Sequence, residues 1–201
     1  MDLDDSPTAE DLAAVRQALA AARAEADTLR AELADTQRLL AEAERLADRD
    51  ALVPALNRRA FVRELSRTLA FCARYDAPAS LVFFDMDGFK AVNDRFGHAA
   101  GDAALIRVAR TLSEHVRESD LVGRIGGDEF AVILVHAERP VAEAKAADLQ
   151  RRIEAEPLGF DGQAIPLRIS YGVRAFEPGL EPGQALAEAD AAMFLRKGGR
   201  R

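Results

Sequence analysis

Between Asp11 and Val53 the chain has no glycine and no proline, and apolar or small residues recur there in alternating steps of three and four. The series runs Leu12, Val15, Leu19, Ala22, Ala26, Leu29, Leu33, Thr36, Leu40, Ala43 and Ala47. Only a helix collects such positions on one face. Arg, Glu, Asp and Gln fill the remaining positions, so the apolar face is a narrow stripe. A period of about 3.5, held over about five heptads, predicts a left-handed two-stranded coil. A lone amphipathic helix packed on its own domain is the alternative. The coil is assigned to residues 11–49, behind an acidic segment 1–10 expected to be flexible.

Pro54 cannot continue a helix without losing a hydrogen bond and marks a break after Val53. Beyond it the periodicity changes repeatedly. A helix is expected through Phe61, Leu65 and Leu69 to about Tyr75, and Ala77-Pro78 reads as a turn. Ser80 to Phe84 is a continuous apolar run, the pattern of a strand buried on both faces. Helical spacing returns from Ala99 to Val116. Two strand-like runs, Leu121 to Ile125 and Phe130 to Val135, flank Gly126-Gly127. A helix from Val141 to Glu154, a strand from Ile165 to Ala175 and a helix from Gln184 to Lys197 complete the order. This is the split βαβ order of a ferredoxin-like α+β domain, with the third strand lying between the first two and antiparallel to both. The predicted fold is therefore an antiparallel sheet with flanking helices, preceded by the long coil helix, with the domain over residues 50–201.

Composition excludes several functions. The 201 residues carry a net charge of −7, so a general nucleic-acid binder with a basic patch is not expected. No stretch is apolar for long enough to span a bilayer, and the acidic N-terminus is unlike a signal peptide, so a cytoplasmic protein is expected. The single Cys72 cannot form an internal disulfide and reads as a buried structural thiol.

The chemistry concentrates where two strands meet. The first strand ends in Asp85-Met86-Asp87-Gly88-Phe89-Lys90, and the third begins with Asp128-Glu129-Phe130. Antiparallel pairing brings Asp85 and Asp128 to one edge of the sheet. Carboxylates gathered there repel one another unless a cation sits among them, and hard oxygen ligands suit Mg2+ or Mn2+ held with nucleotide phosphates. Gly126-Gly127 reads as a two-residue hairpin turn with positive φ, and its bare backbone leaves room for a ligand. Lys90 follows within one turn and can meet phosphate charge. On its own, the Gly-Gly-Asp-Glu stretch is equally a solvated acidic hairpin.

Two longer stretches carry more. Arg124 to Phe130 (Arg-Ile-Gly-Gly-Asp-Glu-Phe) and Phe84 to Asp102 resemble the diguanylate cyclase family, named for its GGDEF motif, over roughly residues 50–201. The resemblance implies a nucleotidyl-cyclase-type fold that condenses two GTP into cyclic di-GMP with release of pyrophosphate. It implies two divalent ions per site, on Asp85, Asp128 and the Met86 carbonyl, with Glu129 helping to activate the ribose 3′-hydroxyl. Asn93 and Asp102 would read the guanine edge, and Phe89, Lys90, Gly126 and Gly127 would lie against the substrate. Lys197 would contact the triphosphate together with Arg200 or Arg201, of which Arg201 keeps the family's spacing. His98 is expected to be a structural hydrogen bonder rather than a proton shuttle. Arg117-Glu118-Ser119-Asp120 matches the family's RxxD inhibitory motif in type and in offset from Gly126, which implies a product-binding site at Arg117 and Asp120.

The opening signature of the family is kept at Asp50-Ala51-Leu52 and Asn57-Arg58-Arg59-Ala60-Phe61, but Val53-Pro54-Ala55 replaces its usual Thr-Gly-Leu. That departure concerns how the coil is coupled to the domain rather than the catalytic groups. A symmetric cyclic dinucleotide needs two half-sites, so the coil is expected to form a homodimer and to offer a face to a protein partner. No sensor segment is read ahead of it, and a constitutive dimer restrained by its product is the expectation. The rival readings are a catalytically inactive cyclic di-GMP receptor, a coiled-coil scaffold, and a cyclase making a mixed dinucleotide.

Overall fold

The computed structural model describes residues 9–198 and divides into two units at the Ala47–Asp48 bond. The first unit is a single helix, α1 (Ala9–Ala47). Along it Leu19, Leu29, Leu33 and Leu40 of the heptad stripe are each about half exposed or more (49–58%). The Arg30–Asp27 and Arg38–Asp35 pairs lie on its surface one turn apart. The helix stops at Ala47, six residues before the expected break at Val53. The cause is Asp50, whose carboxylate accepts the Leu52 and Val53 amides at 2.9 and 3.1 Å and so draws the backbone into a turn. No described helix is long and apolar enough to cross a membrane.

The second unit opens with that turn, which Leu56 ties to the sheet by bridging to Gly123. Helix α2 (Arg58–Tyr75) starts where the Asn57 side chain accepts the Ala60 amide, and ends at Asp76 in the left-handed conformation. Then come β1 (Ala79–Met86), α3 (Phe89–Phe96), α4 (His98–Glu114), β2 (Leu121–Arg124), β3 (Glu129–Val135) and α5 (Arg139–Ala155). The small hairpin β4 (Leu158–Phe160) and β5 (Gln163–Ile165) precedes β6 (Ile169–Ala175) and α6 (Pro182–Gly198). The main sheet has the order β2-β3-β1-β6, antiparallel throughout, with β3 between β2 and β1 as expected.

Strand alternation divides the core. Leu81 and Phe83 of β1 and Ala131 and Ile133 of β3 pack under α2 and α6. Val82, Phe84 and Met86, with Phe130, Val132 and Leu134, pack under α4 and α5. Both faces of the central strands are therefore covered, which is why their sequences read as unbroken apolar runs. Phe61, Phe84 and Phe130 are fully buried, each stabilising the fold by about 1.5–3 kcal/mol relative to exposure. Cys72 is buried, as expected, and burial raises its thiol pKa.

Three differences from the expected order have local causes. The α3 helix spans only eight residues, so its half-buried stripe of Phe89, Val92 and Phe96 is too short to mark a helix in sequence; Gly97, at φ 83°, separates it from α4. The hairpin β4–β5 turns through Asp161 and Gly162, both at positive φ. The single strand expected from Ile165 to Ala175 is interrupted after Ile165, where Pro166 has no amide to donate.

Candidate active site

The site forms where β1 ends and β3 begins. Asp85 pairs with Glu129 in the β1–β3 register, and the Met86 amide donates to the Asp128 carbonyl at 3.2 Å. The central strands thus bring Asp85, Asp128 and Glu129 to one sheet edge. Lys197, in the last turn of α6, donates to Asp85 and lies 2.9 Å from Asp87. Asp87 is held from β6 as well: the buried Ser170 hydroxyl donates to its carboxylate at 2.9 Å, and its amide donates to the Arg168 carbonyl at 2.9 Å.

The electrostatics match this crowding. Burial, and then the charge of Asp85, raise the pKa of Asp128. Burial, followed by Asp128, Asp85 and Asp190, does the same for Glu129. Burial works against the charge on Lys197, but its bonds to Asp85 and Asp87 outweigh it and raise the ammonium pKa. Among the described residues no three His, Cys, Asp or Glu side chains converge into a complete metal cage. Asp85 and Asp128 supply two carboxylates, too few to coordinate a hard divalent ion without oxygens from a ligand.

Gly126 and Gly127 act differently from expectation. Residues 125–128 connect β2 to β3, and neither glycine has positive φ, so the expected two-residue turn is not formed. The amides of Ile125 and Gly126 instead both donate to the Glu129 carbonyl, at 2.8 and 3.3 Å. A Cβ on Gly126 would lie 1.9 Å from Glu129 Oε2, so any side chain there displaces that carboxylate. Gly127 faces open space. Arg124 closes the loop by donating to the Gly127 carbonyl at 2.7 Å from Nη2, while its Nη1 pairs with Asp50 at 3.2 Å. Arg58 donates to the Ile125 carbonyl at 2.9 Å. The turn at 48–57 is therefore linked by Asp50 and Arg124 to the 125–128 loop, a role that the sequence pattern alone did not reveal.

Asn93 on α3 and the Phe89 ring meet over Gly101 of α4, where a Cβ would stand 1.9 Å from Asn93 Oδ1 and 3.3 Å from Phe89 Cζ. Asp102 follows Gly101 directly and is exposed, as is Lys90. His98 begins α4, is exposed and makes no side-chain hydrogen bond among the described residues, which corrects the expected structural role. Arg200 and Arg201 lie outside the described residues.

Arg117 and Asp120 stand between α4 and β2. The Asp120 carboxylate accepts the Arg117 amide at 2.9 Å and the Val135 amide at 3.0 Å, so it shapes this turn as well as facing solvent. The exposed Arg117 and the half-buried Asp120 line a cleft of about 280 Å³ together with Arg49, Pro54 and Ser113. A larger cleft of about 660 Å³ adjoins the carboxylate cluster, between Asp87, Gly88, Ser170 and Lys197.

A βαββαβ sheet carrying an acidic cluster at the β1–β3 edge defines a nucleotidyl-cyclase-type domain. More narrowly, the chain belongs to the diguanylate cyclase, GGDEF domain family, whose model matches residues 47–201. It is 36% identical over 153 residues to diguanylate cyclase TpbB of Pseudomonas aeruginosa, and 34% identical over 149 residues to diguanylate cyclase DosC of Escherichia coli K12. These matches cover 75% and 74% of this chain but only 35% and 32% of the relatives, so the chain spans about a third of their length. Its structure superposes on the coiled coil and GGDEF domain of DgcB from Caulobacter crescentus, in complex with c-di-GMP, with a TM-score of 0.76 at 27% identity. That match covers 93% of this chain and 96% of the other. Diguanylate cyclase SiaD of P. aeruginosa, in complex with its activator SiaC, gives a TM-score of 0.73 at 28% identity, over 92% of this chain and 75% of SiaD.

Proposed function

We propose that the chain is a diguanylate cyclase that condenses two GTP into cyclic di-GMP, releasing two pyrophosphates, and that it acts as a homodimer in the cytoplasm. The observation that carries this reading is the meeting of Asp85, Asp128 and Glu129 at one sheet edge with Lys197 among them. These groups fit divalent metal: Asp85, Asp128 and the Met86 carbonyl would hold Mg2+ or Mn2+, two ions per site, with phosphate oxygens completing the shell. Bound metal would sharpen the attacking 3′-oxygen and neutralise charge on the α-phosphate.

The protein groups supply the rest. Asn93 and Asp102 read guanine, the amide donating and accepting and the carboxylate accepting. The Asn93 amide is seated by the bare Cα of Gly101. Lys90 and Lys197, with Arg201, meet the triphosphate. Gly127 opens the loop toward it. Glu129 takes the proton of the 3′-hydroxyl; its raised pKa brings it closer to the range in which a general base is effective at neutral pH.

Each half-site activates one nucleotide, so ring closure needs a second half-site facing the first. The exposed heptad stripe of α1 supports a paired helix that would keep two domains at high effective concentration. The same helix offers a face to an activating protein, as SiaD is found with SiaC. Product would bind at Arg117 and Asp120 and restrain the enzyme. The test is incubation of purified protein with GTP and Mg2+ and identification of the product by mass. Wild type should form cyclic di-GMP, Asp128→Ala should form none, and Arg117→Ala should continue to higher product concentration. A wild-type chain that binds cyclic di-GMP tightly without making it would establish the receptor reading instead.

A further inference from the structure

The cleft beside the carboxylate cluster contains two cationic side chains, and they are committed differently. Lys197 is held by Asp85 and Asp87. Arg168, just ahead of β6, is fixed through its backbone, because its carbonyl accepts the Asp87 amide at 2.9 Å. Its side chain is exposed, lines the same cleft, and makes no hydrogen bond or ion pair among the described residues. The other polar groups around it are engaged. Ser170 donates to Asp87, and Glu154 accepts the Ile169 amide at 3.4 Å.

The cleft also adjoins Gly88, which caps the N-terminal end of α3. With Asp87 and Glu154 in its wall, it would repel a polyanion unless a cation stood free to meet it. The geometry points to Arg168 as a phosphate-reading residue. Its planar fork would bind oxygens of the β- and γ-phosphates of GTP, the part that departs as pyrophosphate. This rests on the nucleotide reading above and extends it: selectivity for a triphosphate over a monophosphate is assigned to a residue outside both family motifs. A guanidinium suits the task because it forms two parallel charge-assisted bonds to one phosphate and stays ionised throughout.

The test is calorimetric titration of the full chain with inorganic pyrophosphate and, separately, with GMP, each with Mg2+. Removing one exposed charge-assisted contact costs about tenfold in affinity. Arg168→Ala should therefore bind pyrophosphate about tenfold more weakly while GMP affinity stays within about twofold, and Arg168→Lys should fall between. Because the Arg168 side chain is exposed and its structural bond is made by its backbone, the variants keep the fold, which circular dichroism would verify. Equal losses for the two ligands, an unchanged pyrophosphate affinity, or no pyrophosphate binding by wild type would each overturn the assignment. Its failure is separable from failure of the cyclase reading. A chain that synthesises cyclic di-GMP while Arg168→Ala binds pyrophosphate normally defeats only this inference. A chain that shows the predicted binding loss but makes no dinucleotide defeats only the cyclase reading.

Discussion

Replacing Gly172 by alanine would place a Cβ 2.1 Å from the Ala189 carbonyl oxygen and 2.2 Å from the Met193 amide nitrogen. Both are backbone atoms of α6, so no side chain can swing aside. Restoring ordinary contact at 3.4 Å or more requires α6 to move off β6 by about 1.3 Å, the difference between 3.4 and 2.1 Å. Forced insertion of this kind costs about 1–3 kcal/mol, and each kcal/mol lowers the melting temperature by about 2–4 °C at this chain size. The displacement has a second effect, because Lys197 lies one turn beyond Met193 and reaches Asp85 and Asp87 only from the present seat of α6. Gly172→Ala is therefore expected to lower the urea midpoint followed by circular dichroism and also to weaken GTP binding. The nearby exposed Gly183→Ala, whose Cβ meets nothing within 4 Å, should do neither. A Gly172→Ala chain with wild-type stability and GTP affinity would refute the close-packing argument.

Other perturbations probe separate contacts. Asp50→Ala removes the acceptor of the Leu52 and Val53 amides and the partner of Arg124; it should cost about 1–3 kcal/mol in denaturation and slow synthesis by loosening the loop at Gly127. Asp128 and Glu129 have raised native pKa values, so the stability they contribute is full below their ordinary values of 3.8 and 4.5 and is lost as pH rises through the higher native values. Asp128→Asn should accordingly flatten the decline seen in denaturation between acidic and neutral pH, by no more than about 1 kcal/mol after solvent screening, while abolishing synthesis. Deleting residues 1–47 should leave the second unit folded yet make the rate per chain fall steeply on dilution; dilution-independent turnover would remove the coil from the mechanism.

Much of the site was legible because its signals are local and chemical. The unbroken apolar runs at 80–84 and 130–135 marked central strands, and antiparallel pairing then placed Asp85 beside the Asp128–Glu129 pair. What escaped the sequence depended on long-range contacts or on backbone shape. The α3 helix is only eight residues long, so its stripe of Phe89, Val92 and Phe96 is too short to read. Gly126 and Gly127 suggested a positive-φ turn, whereas Gly126 is needed for the space that Glu129 occupies. Asp120 reads in sequence only as part of an RxxD motif, yet its carboxylate also accepts two amides, one of them 15 residues away. Ser170 and Arg168 carry no motif of their own; they matter only because β6 pairs with β1 and delivers them beside Asp87.

The stoichiometry of released pyrophosphate distinguishes cyclisation from simple hydrolysis or binding. Purified chain with GTP and Mg2+ should release two pyrophosphates for each cyclic dinucleotide identified by mass, and Asp85→Ala and Asp128→Ala should release none above background. Pyrophosphate released without a cyclic dinucleotide, or GTP recovered unchanged from wild type, would contradict the assignment of the β1–β3 edge as half of a diguanylate cyclase site.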